Sequence, residues 1–268
     1  MAPSMAALGD LIRRARDQGG DLIMTPEVCA MMEPRRKIAA GKVQVEEANE
    51  ALETFRDLAK ETGAWLLIGS MAIKIEGEER FANRSLLLDP TGQTVARYDK
   101  IHMFDVDVGE GNRFRESNGY RPGDHATLAA TPWGALGMTI CYDMRFPYLY
   151  RDLAKAGADF LSAPSAFTVP TGRAHWHVLL RARAIETGCF VFAPAQVGEH
   201  AEGRKSYGHS LIVDPWGEVL ADGGEDVGVV TAEIDVSKVA EARGRVPSLF
   251  NDRDYAPPTA IHKVAAAE

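Results

Sequence analysis

Cysteine is scarce in this sequence, and long hydrophobic runs are missing from it. The three cysteines, Cys29, Cys141 and Cys189, are an odd number without the paired spacing of a disulfide framework or a zinc cluster. No apolar stretch is long enough to span a membrane, and residues 1–5 lack the basic and apolar regions of a signal peptide. We therefore expect a cytoplasmic protein with no membrane partner.

An excess of positive charge is also lacking. The chain has 30 lysines and arginines against 38 acidic residues, a net charge of −8, so it repels phosphates overall. This balance argues against nucleic acid as a partner, although a local basic pocket for a small anionic substrate is compatible with it. The 46% hydrophobic content and the length of 268 residues favour one globular domain over residues 1–268.

The chain is organised around an apolar run that ends on a cysteine. Residues 136–140 are typical of a short buried strand, and Pro147 is placed to open a helix. Cys141 would then lie at a strand-to-helix junction with free backbone N–H groups, which suits a nucleophile that attacks a carbonyl. The alternative is a buried structural cysteine, whose raised thiol pKa would make it inert.

Hydrophobic periodicity assigns the other elements. It predicts helices at 5–18, 44–62 and 174–187, and strands at 21–24, 64–75, 80–88, 93–98, 159–162, 189–193, 206–213, 218–221 and 227–234. Glu27 and Lys100 each follow directly on one of these strands or hairpins. Residues 106–123, which include Glu116, show no period and are expected to form a long functional loop.

An internal echo indicates the architecture. Residues 86–96 and 211–221 share one pattern, an apolar strand, an Asp-Pro-x-Gly turn and a return strand. Similar hairpins in the two halves suggest two sheets packed face to face. Because helices flank the strands as well, we expect an α/β fold in the form of a four-layer αββα sandwich.

Glu27, Lys100 and Cys141 together form a coherent nucleophilic set. A thiol needs a base to become a thiolate, and a buried carboxylate can serve if its pKa is raised. An ammonium group can hold the oxyanion that forms when the thiolate attacks.

Three motifs resemble those of the nitrilase superfamily of carbon–nitrogen hydrolases. They are Thr-Pro-Glu at 25–27, Tyr-Asp-Lys-Ile-His at 98–102 and Ile-Cys-Tyr-Asp-Met-Arg-Phe-Pro at 140–147. The resemblance covers nearly the whole chain and is closest to the Nit amidase branch, through residues 164–167, 174–176, 179–187 and 207–210. That branch includes deaminated glutathione amidases and ω-amidases, and residues 181–187 are more similar to the former.

The resemblance implies an amidase with no cofactor and no metal. Glu27 would be the general base, Lys100 would stabilise the tetrahedral intermediate, Cys141 would form a thioester, and Glu116 matches a second active-site glutamate. The substrate would be a small-molecule amide of a 2-oxo acid or peptide-like type, most similar to deaminated glutathione, with ammonia released from a primary amide. ω-Amidase and N-carbamoyl amide hydrolase activities are alternatives. A catalytically idle interaction protein is a further alternative, which the presence of all three motif residues disfavours.

Substrate-binding residues are expected next to the nucleophile. Arg145 follows Cys141 by four residues, and its planar guanidinium suits a carboxylate, although it could instead pair with Asp143 as a strut. The resemblance adds Tyr142, and it places Phe167 and Thr171 near the ligand, on a loop expected at residues 164–172.

Three further expectations concern the rest of the chain. Family members begin with a strand before the first helix, and here residues 5–18 are already that helix, so the first strand is expected to be missing or truncated. Trp176 and the arginines of the 174–187 helix are expected at the interface of a homodimer or larger oligomer. His175, His177 and His209 are expected to pack and hydrogen-bond rather than to hold a metal.

Overall fold

The computed structural model describes residues 2–33, 35–109 and 113–258. Within these ranges the helices and strands follow the order α1 Ala2–Asp17, β1 Leu22–Met24, α2 Arg36–Ala40, α3 Glu50–Thr62, β2 Trp65–Ile73, β3 Ala82–Leu88, β4 Thr94–Asp99, β5 Asp105–Asp107, β6 Arg113–Arg115, β7 Thr127–Thr131, β8 Gly134–Met138, α4 Pro147–Lys155, β9 Phe160–Ser162, α5 Val169–Thr187, β10 Phe190–Ala193, β11 Val197–Glu199, β12 Lys205–Tyr207, β13 Leu211–Val213, β14 Val219–Asp222 and α6 Ser237–Arg245.

The strands form two main sheets. The first has the order β1-β2-β3-β4, with β1 parallel to β2 and the others antiparallel. The second has the order β14-β13-β10-β9-β8-β7, and its central strands β8, β9 and β10 are parallel. Two short ribbons, β5–β6 and β11–β12, lie outside these sheets. The parallel strands end on one side, where ligands usually bind in α/β sheets.

Side-chain alternation along β2 explains why the sheets pack together. Leu67 belongs to a buried cluster with Leu136 and Met138 of the second sheet. Its neighbours Leu66 and Ile68 belong to a different cluster, which includes apolar side chains of α1 and α3. Helices α4 and α5 bury their apolar faces in the first cluster. Burial on both faces of each sheet produces four layers, so the predicted αββα sandwich is confirmed.

The two echoing hairpins have the same turn. One oxygen of Asp89 accepts hydrogen bonds from the backbone N–H of Thr91 at 2.8 Å and of Gln93 at 3.1 Å. Asp214 makes the corresponding pair of bonds, both at 2.9 Å, to Trp216 and Glu218. The aspartate side chain thus closes each turn between antiparallel strands, β3 to β4 in one sheet and β13 to β14 in the other.

A cavity borders the edge strand of the first sheet. Strand β1 lies at the edge of its sheet, with β2 on one side. A cavity of about 930 Å³ next to β1 is lined by α1, β1 and residues 226–234 among others.

Several predicted elements were wrong in their bounds or type. The strand predicted at 206–213 is divided into β12 and β13, because Gly208 and His209 have left-handed backbone conformations, with φ of 82° and 56°. Residues 227–234 are not a strand. Helix α5 begins at Val169 rather than at 174, so the expected 164–172 loop ends at Thr168, with Pro170 in the first helical turn. Strand β7 and helix α6 were not predicted.

The expected 106–123 loop is partly ordered into the β5–β6 ribbon, followed by a 3-10 turn at Glu116–Asn118. Residues 110–112 of that loop, and residues 259–268 of the predicted domain, lie outside the described residues. Among the helices that are described, none combines the length and the apolar character that a membrane crossing requires.

Candidate active site

Glu27 and Lys100 are delivered by the ends of two strands of the first sheet. Glu27 follows β1 after Thr25 and Pro26, and its side chain is 7% exposed. Lys100 directly follows β4, and its N–H continues the sheet by donating to the carbonyl of Asn83 at 2.9 Å. Its side chain is 2% exposed. Two charged groups so deeply buried need partners, because an isolated buried charge is very costly.

Cys141 lies on a strained turn after β8. Its φ of 49° is in the left-handed region, which residues other than glycine rarely adopt. The backbone N–H of Cys141 donates to the carbonyl of Pro164 at 2.9 Å, and a 3-10 helix runs from Cys141 to Arg145. Strain of this kind is concentrated at functional sites. The junction predicted from the sequence is therefore present, with a 3-10 turn placed before α4.

Lys100 is held between two carboxylates. Its Nζ lies 2.9 Å from Oε1 of Glu27 and 2.9 Å from Oε2 of Glu116. The amide nitrogen of Asn83 donates to both glutamates, at 3.0 and 3.2 Å. Asn83 was missed in the sequence because it lies inside β3, where nothing distinguishes it from any polar strand residue. The structure thus brings Glu27, Lys100 and Glu116 into one hydrogen-bonded group.

The second sheet supplies the other contacts of Glu27. The backbone N–H of Ala166 donates to Oε2 of Glu27 at 2.9 Å, and the side-chain amide of Gln196 donates to its backbone carbonyl at 3.0 Å. Both carboxylate oxygens therefore have donors. The carboxylate is fixed between the ends of the two sheets, beside the turn that carries Cys141.

Electrostatics sets the protonation state of each group. Burial by itself would raise the pKa of Glu27, but Lys100 and the adjacent Cys141 thiol bring this pKa below its usual value. Burial would lower the pKa of Lys100, yet Glu116 and Glu27 raise it well above its usual value. Burial, and next to it the charge of Glu27, raises the pKa of Cys141. At neutral pH the site holds a carboxylate, an ammonium and a protonated thiol.

The carboxylate pKa differs from the expectation. We expected a catalytic carboxylate with a raised pKa, and the structure gives a lowered one because the Lys100 ammonium is in direct contact with Glu27. The high pKa of the thiol means that Cys141 would need a base to act as a nucleophile, and the carboxylate of Glu27 is next to it.

Asp143 joins the turn of Cys141 to the strand of Lys100. It is fully buried and accepts hydrogen bonds from the hydroxyl of Tyr98 at 2.7 Å and from the backbone N–H of His102 at 3.0 Å. It also accepts from the backbone N–H of Ile140 at 2.9 Å. Tyr98 and His102 lie on either side of Lys100 in the chain, and Ile140 directly precedes Cys141. Asp143 therefore fixes the two segments relative to each other.

The predicted substrate-binding residues occupy different positions. The guanidinium carbon of Arg145 lies 5.8 Å from the ring centroid of Tyr142 and 5.4 Å from that of Phe167. These three side chains therefore form one packed group. The alternative role of Arg145 is not found, because Asp143 is engaged elsewhere. Thr171 lies in the first turn of α5, where its hydroxyl is 2.8 Å from that of Thr168.

Arg145 has no acidic partner within 4.0 Å in the described residues. Its one side-chain hydrogen-bond contact there is Nδ1 of His175, at 3.3 Å. A half-buried arginine without an acidic partner remains available for an anion.

Two of the expected packing histidines share a carboxylate. His177 and His209 each lie 2.9 Å from an oxygen of Asp222. The sequence pattern did not indicate Asp222, which is separated in the chain from both histidines. The three side chains are of types that bind transition metals and are close enough to hold an ion. Neither this cluster nor the cavity beside β1 includes Glu27, Lys100 or Cys141.

An αββα sandwich with a buried glutamate, lysine and cysteine at its strand ends places this protein in the nitrilase superfamily. The sequence profile of one family, described as carbon-nitrogen hydrolase, matches residues 2–244. The chain belongs to the carbon–nitrogen hydrolase family.

Curated relatives are similar over most of their length. The deaminated glutathione amidase of Yersinia enterocolitica is 42% identical over 241 residues, which are 88% of this chain and 83% of that protein. The deaminated glutathione amidase of Homo sapiens is 41% identical over 244 residues, 89% of this chain and 74% of that one.

Solved structures agree with the fold. The C. elegans NitFhit protein superposes with a TM-score of 0.86 at 38% identity, covering 94% of this chain and 61% of that one, so this chain spans about three-fifths of NitFhit. Saccharomyces cerevisiae Nit3, a member of branch 10 of the nitrilase superfamily, gives a TM-score of 0.83 at 27% identity, covering 92% and 89%.

Proposed function

We propose that this protein is an amidase that uses Cys141 as its nucleophile and Glu27 as its general base. One observation carries the proposal: a protonated, buried thiol adjoins a carboxylate that an ammonium group keeps ionised. Proton transfer from Cys141 to Glu27 requires a protonated thiol and an ionised carboxylate, and these are the forms present.

The reaction follows from these groups. Glu27 takes the thiol proton while the sulfur of Cys141 bonds to the amide carbon, and the carbonyl becomes a tetrahedral oxyanion. Glu27 then returns the proton to the amide nitrogen, the C–N bond breaks, and a thioester and an amine result. Water loses a proton to Glu27 and attacks the thioester carbon. The C–S bond then breaks, Glu27 returns the proton to the sulfur of Cys141, and the carboxylic acid and the free thiol result. From a primary amide the leaving amine is ammonia, and from a secondary amide it is the amine that the amide carries.

Lys100 is the main stabiliser of the oxyanion. Its ammonium is buried and permanently charged, so its attraction for a developing negative charge is strong. The backbone N–H of Tyr142, at the start of the 3-10 turn, makes no backbone hydrogen bond in the described residues and is a second donor for it. Glu116 holds Lys100 in place from the other side.

The proposed substrate is deaminated glutathione, as the names of the relatives indicate. In this compound the amide joins a 2-oxo acid to cysteinylglycine, so the leaving amine is cysteinylglycine. The molecule carries two carboxylates, and Arg145 beside the Cys141 turn is a suitable partner for one of them. An ω-amidase acting on a 2-oxo dicarboxylic monoamide has the same acyl half and is the second candidate.

Product analysis tests the function. Purified protein is incubated with deaminated glutathione, 2-oxoglutaramate and an N-carbamoyl amino acid, and 2-oxoglutarate, cysteinylglycine and ammonia are measured. We expect the highest kcat/KM with deaminated glutathione, and no turnover with the Cys141→Ala variant. A preference for 2-oxoglutaramate would assign the ω-amidase activity instead. A wild-type protein inactive on all three would refute the proposal.

We also propose a homodimer or larger oligomer that works in the cytoplasm, where the free thiols Cys29, Cys141 and Cys189 would stay reduced. Trp176, which we expected at the interface, is fully buried within the chain and donates to the carbonyl of His209. The exposed apolar side chains of the outer α5 face, Val178 and Ile185, are better candidates. Light scattering at micromolar concentration should show a dimer or more, and Val178→Glu should weaken it.

A further inference from the structure

Arg204 is a cation beside the active site that the mechanism above does not use. It immediately precedes β12, on the ribbon formed with β11. Its Nη2 donates to the carbonyl of Ala166 at 3.2 Å, and its guanidinium carbon lies 5.7 Å from the ring centroid of Phe114. The side chain therefore stretches between two walls, the segment after β9 and the β5–β6 ribbon.

Both walls belong to the active site. Ala166 is the residue whose N–H binds the carboxylate of Glu27, and Phe114 lies two residues before Glu116. The charge of Arg204 contributes to the lowered pKa of Glu27, behind the larger effects of Lys100 and Cys141. It also acts on half-buried Tyr120, whose pKa is raised by desolvation and then by Glu116 and Glu27, and is lowered in part by Lys100 and Arg204. These effects place the guanidinium within electrostatic reach of the base.

The guanidinium has unused hydrogen-bonding capacity. Its Nε is buried and has no hydrogen-bond partner, and no carboxylate lies within 4.0 Å of the group in the described ranges. A buried donor of a charged group without an acceptor is costly, and native structures rarely keep one without a reason. A ligand oxygen would satisfy it.

The net charge of the site also favours a role for Arg204 in binding a ligand oxygen. Glu27 and Glu116 with Lys100 leave one negative charge in excess, which would repel an anionic substrate. Arg204 compensates that charge. Arg145 adds a further positive charge to this part of the site. It packs on Phe167, the residue after Ala166.

We propose that Arg204 binds a carboxylate of the substrate, and that Arg145 and Arg204 together select amides with two carboxylates. The proposal rests on the amidase function proposed above, because it concerns the substrate of the same site. Arg204 touches substrate and takes no part in proton transfer. A planar guanidinium is suited to this role because two parallel N–H groups can bind both oxygens of one carboxylate.

The first test compares three substrates. They are deaminated glutathione, its C-terminal glycinamide, which lacks the glycine carboxylate, and levulinyl-cysteinylglycine, which lacks the 2-oxo acid carboxylate. Arg204→Gln should lower kcat/KM for deaminated glutathione at least tenfold. For one of the two analogues it should lower kcat/KM by less than about threefold, because that analogue lacks the carboxylate that Arg204 binds. Arg204→Lys, which keeps the charge but loses the fork, should recover part of the loss.

Lys205→Gln is the matched control. It removes one positive charge from the neighbouring, exposed residue, whose ion-pair contact is Glu199 at 3.6 Å. We expect its kinetics to equal those of the wild type. Equal losses on all three substrates for Arg204→Gln, or an equal effect of Lys205→Gln, would overturn the proposal and leave Arg204 a structural contact of Ala166.

A binding measurement separates this proposal from the proposed function. Deaminated glutathione, which carries both carboxylates, is titrated by calorimetry into Cys141→Ala protein, with and without Arg204→Gln. We expect the second change to weaken binding at least tenfold, whether or not the wild type hydrolyses any of the three amides. An unchanged affinity, or no binding to the Cys141→Ala protein, would refute carboxylate binding by Arg204. Turnover of the amides would test the amidase function alone.

Discussion

The hydroxyl of Tyr98 donates a hydrogen bond of 2.7 Å to the carboxylate of Asp143, and both groups are buried. Tyr98 lies in β4 of the first sheet, two residues before Lys100, and Asp143 lies in the second half of the chain, two residues after Cys141. This bond therefore links the segment of Lys100, the proposed oxyanion stabiliser, to the turn of Cys141, the proposed nucleophile, across the two sheets. Burial, with the charge of Asp143 next to it, raises the pKa of the Tyr98 hydroxyl, which keeps it a donor.

The first prediction concerns that link. Tyr98→Phe removes one donor from a buried carboxylate that keeps its bonds to His102 and Ile140. Because the bond is charge-assisted, we expect a loss of about 1–3 kcal/mol in the free energy of unfolding, measured in urea. We also expect kcat to fall more than KM changes, since the reacting groups lose alignment. A variant with wild-type stability and kcat would contradict the positioning role.

The second prediction concerns the nucleophile. Cys141→Ala should abolish turnover and leave the circular dichroism spectrum unchanged, because the change removes only a small side chain. The matched control is Cys189→Ala, another buried cysteine whose thiol contacts the carbonyl of Ala158 at 3.2 Å, away from the site. This control should keep kcat. Activity near the wild-type level in the Cys141 variant would refute the mechanism.

The third prediction concerns the ammonium. Lys100→Ala should lower kcat by ~10² or more, because one oxyanion donor is typically worth that much. The same change leaves Glu27 next to Glu116 without their shared cation, so the pKa of Glu27 should rise. A shift of the acid limb of the pH profile to higher pH would report that rise. A change confined to KM would instead mean that Lys100 only binds substrate.

The fourth prediction concerns pH. The pKa of Glu27 is lowered from its usual 4.5, so the base is ionised above that pH and is lost as the pH falls through its lowered pKa. The pKa of Lys100 is raised above its usual 10.5, so its charge is lost only as the pH rises beyond that value. We therefore expect kcat/KM to stay nearly constant from about pH 5 to about pH 10, provided that circular dichroism shows folded protein.

An acid limb near pH 6 or 7 would contradict this reading of the site. It would mean that the base carries a raised pKa and that Lys100 does not control it.

The fifth prediction concerns Arg145. Arg145→Lys keeps the positive charge but loses the planar fork that lies between Tyr142 and Phe167. It should lower kcat/KM for 2-oxo acid amides far more than for a neutral amide without the carboxylate. Comparable losses on the charged and the neutral substrate would assign Arg145 to structure.

Local sequence was sufficient to place the candidate residues on their elements. Glu27, Lys100 and Cys141 each follow an apolar run, and such runs become buried strands whichever partner they find. The Asp-Pro-x-Gly turns that start at Asp89 and Asp214 depend on a side chain bonding to a backbone only two and four residues away, so the paired hairpins were predictable as well. The motifs around the three residues were enough to indicate the family.

What the sequence did not determine depends on contacts between distant segments. The local sequence pattern predicted β12 and β13 as one strand, because it does not show the left-handed conformation of His209 that divides them. The carbonyl of His209 accepts a hydrogen bond from the side chain of Trp176 in α5, which is distant in the chain. Asn83 and Arg204 contact Glu27 and Ala166 only because folding brings distant segments together.

The protonation states were likewise decided by tertiary structure. Lys100 lies 73 residues from Glu27 in the chain and 2.9 Å from it in space. Burial alone predicts a raised carboxylate pKa, and a neighbouring ammonium predicts a lowered one. The sequence supplied both residues, but the sign of the shift depends on the distance between them and on the water excluded around them, and those are properties of the folded chain.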